Sequence, residues 1–391
     1  MSDLPVVPFE RHDALEVPAA YRELRAEKGI TRVRTRVGGE VWLVSGYEDA
    51  RKLFADSRLG RSHPEPEKAA RVSGSALLGG PLGDNATEKA DNERMRKLLM
   101  PSFSARRMKA LSDHVGTLVD ERLEHLAGLT PPADLHAELS FPLPVLVICQ
   151  LLGVPFEDRA YFSGVSARMG DVADEAKGMA AREELGAYMA GLIERKRHDP
   201  GEDVLSDLAD VLDDDGGIAQ LAGGLLFAGH ETTVNRIDYG VLFLEANPGQ
   251  LALLKADPGR AAAAVEEILR MASPSLHGLP RYAHDDIEIG GVTIRRGEAV
   301  LIMPGAANRD ERIYPDPDTF DVDRTSGDPH LGFGYGPRYC IGASLARVEL
   351  EAVFSRLYRR FPDLRVAVPL DKLPRNEGQL TEGVAELPVI W

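Results

Sequence analysis

The stretch HLGFGYGPRYCIGASLARVELEAVF, residues 330–354, decides the fold. It places glycines on both sides of a single cysteine, namely Gly332, Gly334, Gly336 and Gly342 around Cys340. Glycine is used where a backbone needs unusual dihedrals or must approach another group closely. Apolar residues then recur at helical spacing from Leu345 onward, which predicts an amphipathic helix. We therefore expect Cys340 just before a helix N-terminus, where free N–H groups and the helix dipole favour a thiolate suited to binding the metal of a flat cofactor.

The same residue types allow two other interpretations. A lone cysteine is most often a small buried hydrophobic residue, and we predict that role for Cys149, which lies in the apolar run LPVLVICQLLGV. The glycines could also belong to a dinucleotide-binding fingerprint. However, GFGYG has glycine at every second position and does not give the G-x-G-x-x-G spacing, so we reject that interpretation.

The composition excludes several classes of protein. The 391 residues contain 46 Lys and Arg against 62 Asp and Glu, a net charge of −16, and so acidic a chain would be repelled by nucleic acid and anionic membrane surfaces. Two cysteines give neither a disulfide framework nor a four-cysteine zinc site. There is no apolar run of about eighteen residues, and the N-terminus lacks the features of a secretory segment. The sequence predicts a cytoplasmic protein without a membrane span.

The pattern of apolar and turn residues predicts a mainly α protein with minor β, organised as one domain over residues 1–391. Two Gly-Gly turns join alternating segments into hairpins, over 33–44 and 287–294. Between about 60 and 85 the chain is rich in Gly and Pro and predicts a long loop. Helical periodicity dominates residues 91–247, 259–271 and 342–360. Short strands are predicted between residue 271 and about residue 325.

The residues from Phe333 to Gly342 match F-x-x-G-x-R-x-C-x-G. This run resembles the haem-binding signature of the cytochrome P450 family, whose fold is a helical bundle around a buried haem with small antiparallel sheets. The resemblance implies a haem b cofactor, iron protoporphyrin IX, with Cys340 as its thiolate ligand. It also implies that Arg338 pairs with a haem propionate and that Phe333 packs beside the sulfur.

A second segment, AGHETT over 228–233, resembles the oxygen-pocket motif of the same family. Its consecutive polar residues cannot share one helix face, so we expect them to interrupt a long apolar helix. Thr232 can bond back to the carbonyl of Ala228 and distort the helix locally. The resemblance implies that Glu231 and Thr232 form the acid–alcohol pair that delivers protons during oxygen activation. A metalloprotease H-E-x-x-H site is excluded, because Val234 stands where the second histidine would be.

Other family landmarks recur along the chain. Glu267 and Arg270 resemble the E-x-x-R pair that is buried and locked to a later arginine, here Arg324, in a structural role. Further propionate contacts are implied at Arg96, Arg281 and His330. The chain departs from the family in two places: Asn92 replaces the histidine of the H-x-x-x-R helix, and NATEKAD replaces its acidic-proline lead-in.

The resemblance implies a small-molecule pocket, with contacts expected from Leu225, Ala228, His277, Leu279 and Leu380. Electrons must come from a partner, because the sequence shows no flavin or iron–sulfur motif. We expect a ferredoxin and its reductase. Two basic runs, over 94–109 and 338–360, flank the predicted thiolate side of the haem and would attract an acidic ferredoxin.

The function implied is a monooxygenase that inserts one oxygen atom of O₂ into a small organic substrate, by hydroxylation or epoxidation. The likeness to short bacterial members, especially actinomycete tailoring enzymes, indicates secondary-metabolite or antibiotic biosynthesis. One alternative is a haem–thiolate oxidase that performs coupling, desaturation or rearrangement without retaining oxygen. Another is a haem-binding recruitment or sensor protein without turnover, which the presence of both Glu231 and Thr232 disfavours.

Overall fold

The computed structural model describes residues 4–74, 79–169, 175–272, 278–325, 327–376 and 383–391. The chain forms two compact units. The first unit contains residues 1–94 and 266–340, and the second contains 95–265 and 341–391. Within the described ranges, no helix combines the length and apolar character needed to cross a bilayer.

Helices make up most of the described chain, which confirms the mainly α class. In chain order they are α1 (Ala19–Glu27), α2 (Tyr47–Ala55), α3 (Glu88–Leu99), α4 (Ala105–Ala127), α5 (Pro142–Leu152), α6 (Arg159–Met169), α7 (Glu175–His198), α8 (Val204–Val211), α9 (Asp215–Ala246), α10 (Pro248–Ala256), α11 (Ala261–Met271), α12 (Pro304–Ala307), α13 (Ala343–Phe354) and α14 (Leu357–Arg360).

The strands are short. They are β1 (Val6–Val7), β2 (Ile30–Thr35), β3 (Glu40–Val44), β4 (Leu59–Gly60), β5 (Ala133–Asp134), β6 (Leu279–Ala283), β7 (Ile287–Ile289), β8 (Val292–Ile294), β9 (Ala299–Ile302), β10 (Arg365–Val366) and β11 (Pro388–Ile390). The first unit holds a six-stranded sheet in the order β1-β2-β3-β9-β6-β4 and the β7-β8 hairpin. The second unit holds a three-stranded sheet in the order β10-β11-β5.

Both predicted hairpins are confirmed. In the first, β2 and β3 pair antiparallel with Val33 opposite Val41, and both valines are fully buried. The turn needs glycine at Gly38, whose φ of 92° lies in the left-handed region. In the second, β7 and β8 pair antiparallel around Gly290 and Gly291, which both have positive φ.

The core of the first unit forms where α2 packs on the six-stranded sheet. Tyr47, Leu53 and Ile302 belong to one buried cluster on this face. Leu331, which precedes the glycine-rich loop, lies in the same cluster. The loop that carries Cys340 therefore begins from a residue fixed in the core.

The second unit is built around α9, whose C-terminal half is almost wholly buried from Thr233 to Leu244. Helices α5 and α7 pack against it, and so does α13, which follows the cysteine loop. Cys149 lies in α5 and is completely buried. Burial raises the pKa of its thiol to about 12, so Cys149 is a core residue as predicted.

The predicted helix over 342–360 is wrong in its continuity. Helix α13 ends at Phe354 and α14 begins at Leu357. The Ser355 hydroxyl donates to the Ala352 carbonyl at 3.3 Å, a local bond of the kind that competes with helix continuation. In the segment predicted to hold short strands to about residue 325, the last described strand, β9, already ends at Ile302, and α12 follows it.

Candidate active site

Cys340 ends a loop whose shape depends on glycine. Gly334 and Gly336 have φ values of 72° and 71°, in the left-handed region that disfavours other residues. A Cβ on Gly336 would also lie 2.9 Å from the Ala55 Cα. The Cys340 N–H donates to the Phe333 carbonyl at 2.9 Å, which closes the loop. Two residues later, Gly342 caps the N-terminus of α13, as the sequence predicted.

The two cysteines have opposite environments. Cys149 is buried, whereas Cys340 is exposed. A thiolate must be accessible to bind a metal, so Cys340 alone of the two is suited to be a ligand. Within the described residues, no group of three or more His, Cys, Asp or Glu side chains could hold a metal ion.

A cluster of arginines surrounds one buried carboxylate in the first unit. Arg338 forms an ion pair with Glu88. Arg61 and Arg281 are close enough to interact electrostatically with Arg338 and Glu88. Burial and repulsion by the two other guanidiniums lower the pKa of Arg281 to about 9. Burial likewise lowers the pKa of Arg61.

This cluster fits the carboxylates of a haem. Three guanidiniums interact electrostatically with the Glu88 carboxylate, so these four groups carry an excess of two positive charges, and iron protoporphyrin IX has two propionates. Burial first, and then repulsion by the two other guanidiniums, disfavours the charged form of Arg281 and lowers its pKa. Binding an anion there would favour the charged form.

Of the other residues expected near the haem, His330 and Phe333 lie together. Their ring centroids are 5.7 Å apart, and His330 Nε2 is 3.2 Å from Glu266 Oε2. Arg96 is half-buried in α3 within the second unit. Asn92, which replaces the family histidine, is half-buried in the same helix.

The E-x-x-R pair has the expected buried geometry. Arg270 donates from Nε and Nη2 to both Glu267 carboxylate oxygens, at 2.7 and 2.8 Å. Arg324 Nε donates to Glu267 Oε1 at 3.0 Å. The Asn308 carbonyl accepts a further bond from Arg270 at 2.8 Å. These contacts fix α11 to the loop that leads to the cysteine, which is a structural role.

In the second unit, residues 228–233 lie in the middle of α9. The predicted interruption is wrong, because all of them are helical. The side-chain prediction is right: Thr232 Oγ1 donates to the Ala228 carbonyl at 2.8 Å. His230 faces α5 and its Nε2 contacts the Phe141 carbonyl at 3.1 Å. Thr232 is exposed and Glu231 half-buried.

The expected pocket residues are only partly described. Leu225 and Leu279 are half-buried and Ala228 is exposed. His277 and Leu380 lie outside the described residues. Sequence reasoning missed Arg61 and Glu88; the only signal was the unusual NATEKAD segment, in which Glu88 stands.

Several known proteins are similar to this chain over nearly its whole length. The profile of the family described as Cytochrome P450 matches residues 261–383. Pentalenolactone synthase of Streptomyces exfoliatus is 43% identical over 401 residues that cover all of both chains. Mycinamicin IV hydroxylase/epoxidase of Micromonospora griseorubida is 38% identical over 98% of each.

The solved structures agree. The substrate-free cytochrome P450 PimD, a polyene macrolide antibiotic pimaricin epoxidase, superposes with a TM-score of 0.92 at 40% identity over the whole of both chains. Identity and coverage at this level, together with the cysteine loop, establish that the chain belongs to the cytochrome P450 family and is a haem–thiolate monooxygenase.

Proposed function

We propose that this enzyme hydroxylates or epoxidises a small organic substrate in an antibiotic or other secondary-metabolite pathway. The observation that carries the proposal is the exposed Cys340 at the end of a glycine-dependent loop, in the same unit as a cluster of arginines with excess positive charge. Support for the reaction class comes from the relatives, which include a hydroxylase/epoxidase and a pimaricin epoxidase.

Each site residue then has a defined task. Cys340 would supply the thiolate that holds the haem iron, with Phe333 beside the sulfur and Gly342 at the start of the following helix. Arg281 and Arg338 hold the propionates, and Arg96 and His330 are assigned to the same group. When bound, the haem supplies the redox chemistry that activates O₂. The protein supplies orientation, charge and protons.

Thr232 and Glu231 divide the handling of protons. Thr232 Oγ1 donates its hydrogen to the Ala228 carbonyl. Its oxygen can therefore accept a hydrogen bond from a substrate or a water molecule next to α9. Glu231 is the titratable neighbour that can take up and release protons. Leu225, Ala228 and Leu279 are assigned to the substrate pocket, together with His277 and Leu380.

Small-molecule substrate, O₂ and a redox partner are common to bacterial members of the family. For this chain we propose a ferredoxin and its reductase, a cytoplasmic location, and one functional domain over residues 1–391. We propose that neither nucleic acid nor a membrane is a partner.

The two basic runs proposed to attract the ferredoxin are not basic throughout. Four of their residues pair with carboxylates: Arg107 with Asp207, Arg338 with Glu88, Arg356 with Asp120 and Arg360 with Glu124.

A second candidate reaction, oxidation without oxygen retention, has one observation in its favour. A solved structure 33% identical, with a TM-score of 0.92, is described as a putative thioether synthase involved in the tailoring of griseoviridin. Forming a thioether adds no oxygen to the product. Isotope analysis after turnover with ¹⁸O₂ separates the two, since only monooxygenation places the label in the product.

The ligand assignment is tested by Cys340→Ser, with Cys149→Ser as the matched control. We expect the reduced carbon monoxide complex of Cys340→Ser to lose the Soret band of a thiolate-bound haem. Cys149→Ser should keep that band, because its sulfur is buried in α5. A thiolate-type band that survives in Cys340→Ser would overturn the assignment.

A further inference from the structure

Glu88, at the start of α3, is one of the most extensively bonded carboxylates of the first unit. Its Oε1 accepts from the Arg61 N–H at 2.6 Å and pairs with Arg338. Its Oε2 accepts from the Ser62 N–H at 2.9 Å and from the Ser62 hydroxyl. His284 Nε2 lies 3.5 Å from the same oxygen. The side chain is only 8% exposed.

The surrounding backbone is shaped to this carboxylate. A Cβ on Gly60 would collide with both Glu88 and His284, so the strand approaches the carboxylate closely. Burial opposes ionisation of Glu88, but bonds from Arg61 and Ser62 and the charge of Arg338 lower its pKa below the usual range. Glu88 is therefore an anion held in a built site.

A helix-terminal role alone does not explain this arrangement. An acid in the first turn interacts favourably with the helix dipole while exposed. Glu88 instead points into the arginine cluster, and its partners come from the segment after β4 and from the cysteine loop. Its carboxylate pairs with the Arg338 guanidinium and interacts electrostatically with those of Arg61 and Arg281.

We propose that Glu88 is an internal counter-ion of the haem propionate site, which neutralises one of the three arginines of this cluster and leaves the cluster an excess of two positive charges for the propionates. The inference rests on the proposed function for the assignment of Arg281 and Arg338 to propionates. In this proposal the Glu88 carboxylate acts before the haem binds. Its negative charge holds together guanidiniums that would otherwise repel one another.

Two opposite effects follow from this position. Glu88 attracts the three guanidiniums, so its removal should destabilise the haem-free protein. Glu88 would also repel propionates bound to these arginines, so its removal should make the haem bind more tightly. A residue that merely supported the fold would weaken both states, and haem would be lost faster.

The test compares Glu88→Gln with Glu298→Gln. Glu298 is a matched control, since it also pairs with an arginine and accepts from the Trp42 indole at 2.7 Å, but its arginine, Arg32, is not one of the three in the cluster. Haem transfer from the holoenzyme to apomyoglobin should be about threefold to tenfold slower for Glu88→Gln than for wild type. Glu298→Gln should not slow it. Faster or unchanged transfer from Glu88→Gln would overturn the proposal.

A double variant that restores the charge balance provides an independent test. In Arg61→Gln/Glu88→Gln the cluster again has an excess of two positive charges, so haem-free protein should recover most of the thermal stability lost in Glu88→Gln. A double variant as unstable as the two single losses combined would contradict a counter-ion role, even if Glu88→Gln itself folds poorly. The Soret band of the carbon monoxide complex should persist in Glu88→Gln; its loss would instead count against the proposed haem site.

Discussion

Thr232 shows how one side chain in the middle of a helix can serve chemistry. Its hydroxyl hydrogen is committed to the Ala228 carbonyl at 2.8 Å, so the oxygen is oriented by its own helix. A free rotor would lose conformational entropy on accepting a bond, whereas this hydroxyl is already fixed. The bond was predictable from the four-residue spacing alone.

Replacing Thr232 should separate reductant consumption from substrate oxidation. In Thr232→Ala the oriented acceptor is lost, and we expect reductant to be consumed at a similar rate but diverted mainly to hydrogen peroxide. The measurement is the yield of peroxide per reductant consumed. Thr232→Ser keeps the hydroxyl and should restore coupling, and Thr233→Ala changes a buried neighbour on another face. Unchanged coupling in Thr232→Ala would show that another group orients the protons.

The neighbouring residue, His230, makes stability depend on pH. Burial, with a smaller effect of nearby His136, lowers the pKa of His230 to about 4. An unfolded histidine titrates near 6.5 and binds a proton that the folded one refuses. The free energy of unfolding should therefore fall as pH decreases from about 6.5 toward 4, by about 2 kcal/mol between pH 7 and 5.

His230→Gln isolates this contribution, because an amide donor can still reach the Phe141 carbonyl but does not titrate. Urea unfolding at pH 7 and pH 5 should show a smaller loss of stability on acidification in the variant than in wild type. His136, whose pKa is raised by Asp238 against the effect of its burial, has the opposite sign and is present in both proteins. Equal pH slopes in the two proteins would disprove the assignment.

At the scale of elements, the buried Glu267–Arg270–Arg324 triad joins α11 to the segment before the cysteine loop. Glu267 and Arg270 are each 3% exposed. Removing one partner of a buried ion pair leaves an uncompensated charge and typically costs about 3–5 kcal/mol. Glu267→Gln should lower the free energy of unfolding by about that amount, measured by denaturant titration.

An exposed pair of the same kind provides the contrast. Arg260 and Asp257 are 3.8 Å apart just before α11, with side chains 34% and 63% exposed, and such solvent-accessible pairs contribute about 0–1 kcal/mol. Asp257→Asn should therefore have little effect beyond the small loss of its bond to the Gly259 N–H. If both variants lost similar stability, burial would not be the source of the triad's contribution.

Helices and strands were predictable from the sequence where a local pattern determines them. The prediction was wrong where contacts with residues distant in sequence determine the structure. The hairpins depend on Gly-Gly turns, and the sequence predicts them. The continuity of α9 through its polar segment depends on partners far away along the chain. His230 meets the Phe141 carbonyl, and Asp238 lies 2.7 Å from His136. These buried contacts satisfy polar groups that would otherwise disfavour a helix core, and no periodicity in the sequence reveals them.

The same distinction applies to the candidate site. Cys340, Arg338 and the E-x-x-R pair were found because each lies in a compact motif. Glu88 and Arg61 were not, since they are 27 residues apart and meet only through the fold. The departure at NATEKAD was visible, but its consequence, a carboxylate inside the arginine cluster, required the structure.

For the whole molecule, a net charge of −16 makes any exposed basic region a distinct electrostatic feature. In α4, Arg106 and Lys109 are exposed. Arg107 beside them is tied to Asp207 in α8, so reversing its charge would break an internal contact as well as change the surface. The sequence predicted the basic run, but only the structure separates its exposed members from its paired ones.

Arg106 is therefore the sharper probe of ferredoxin docking. Arg106→Glu should slow reduction by an acidic ferredoxin about threefold to tenfold at low ionic strength, because steering depends on opposite charges. The difference from wild type should shrink as salt is raised, since screening acts within about 10 Å at 0.1 M. Arg182→Glu is the matched control, an exposed arginine in α7 outside both basic runs. If Arg182→Glu slowed reduction equally, net charge rather than a docking surface on α4 would control the encounter.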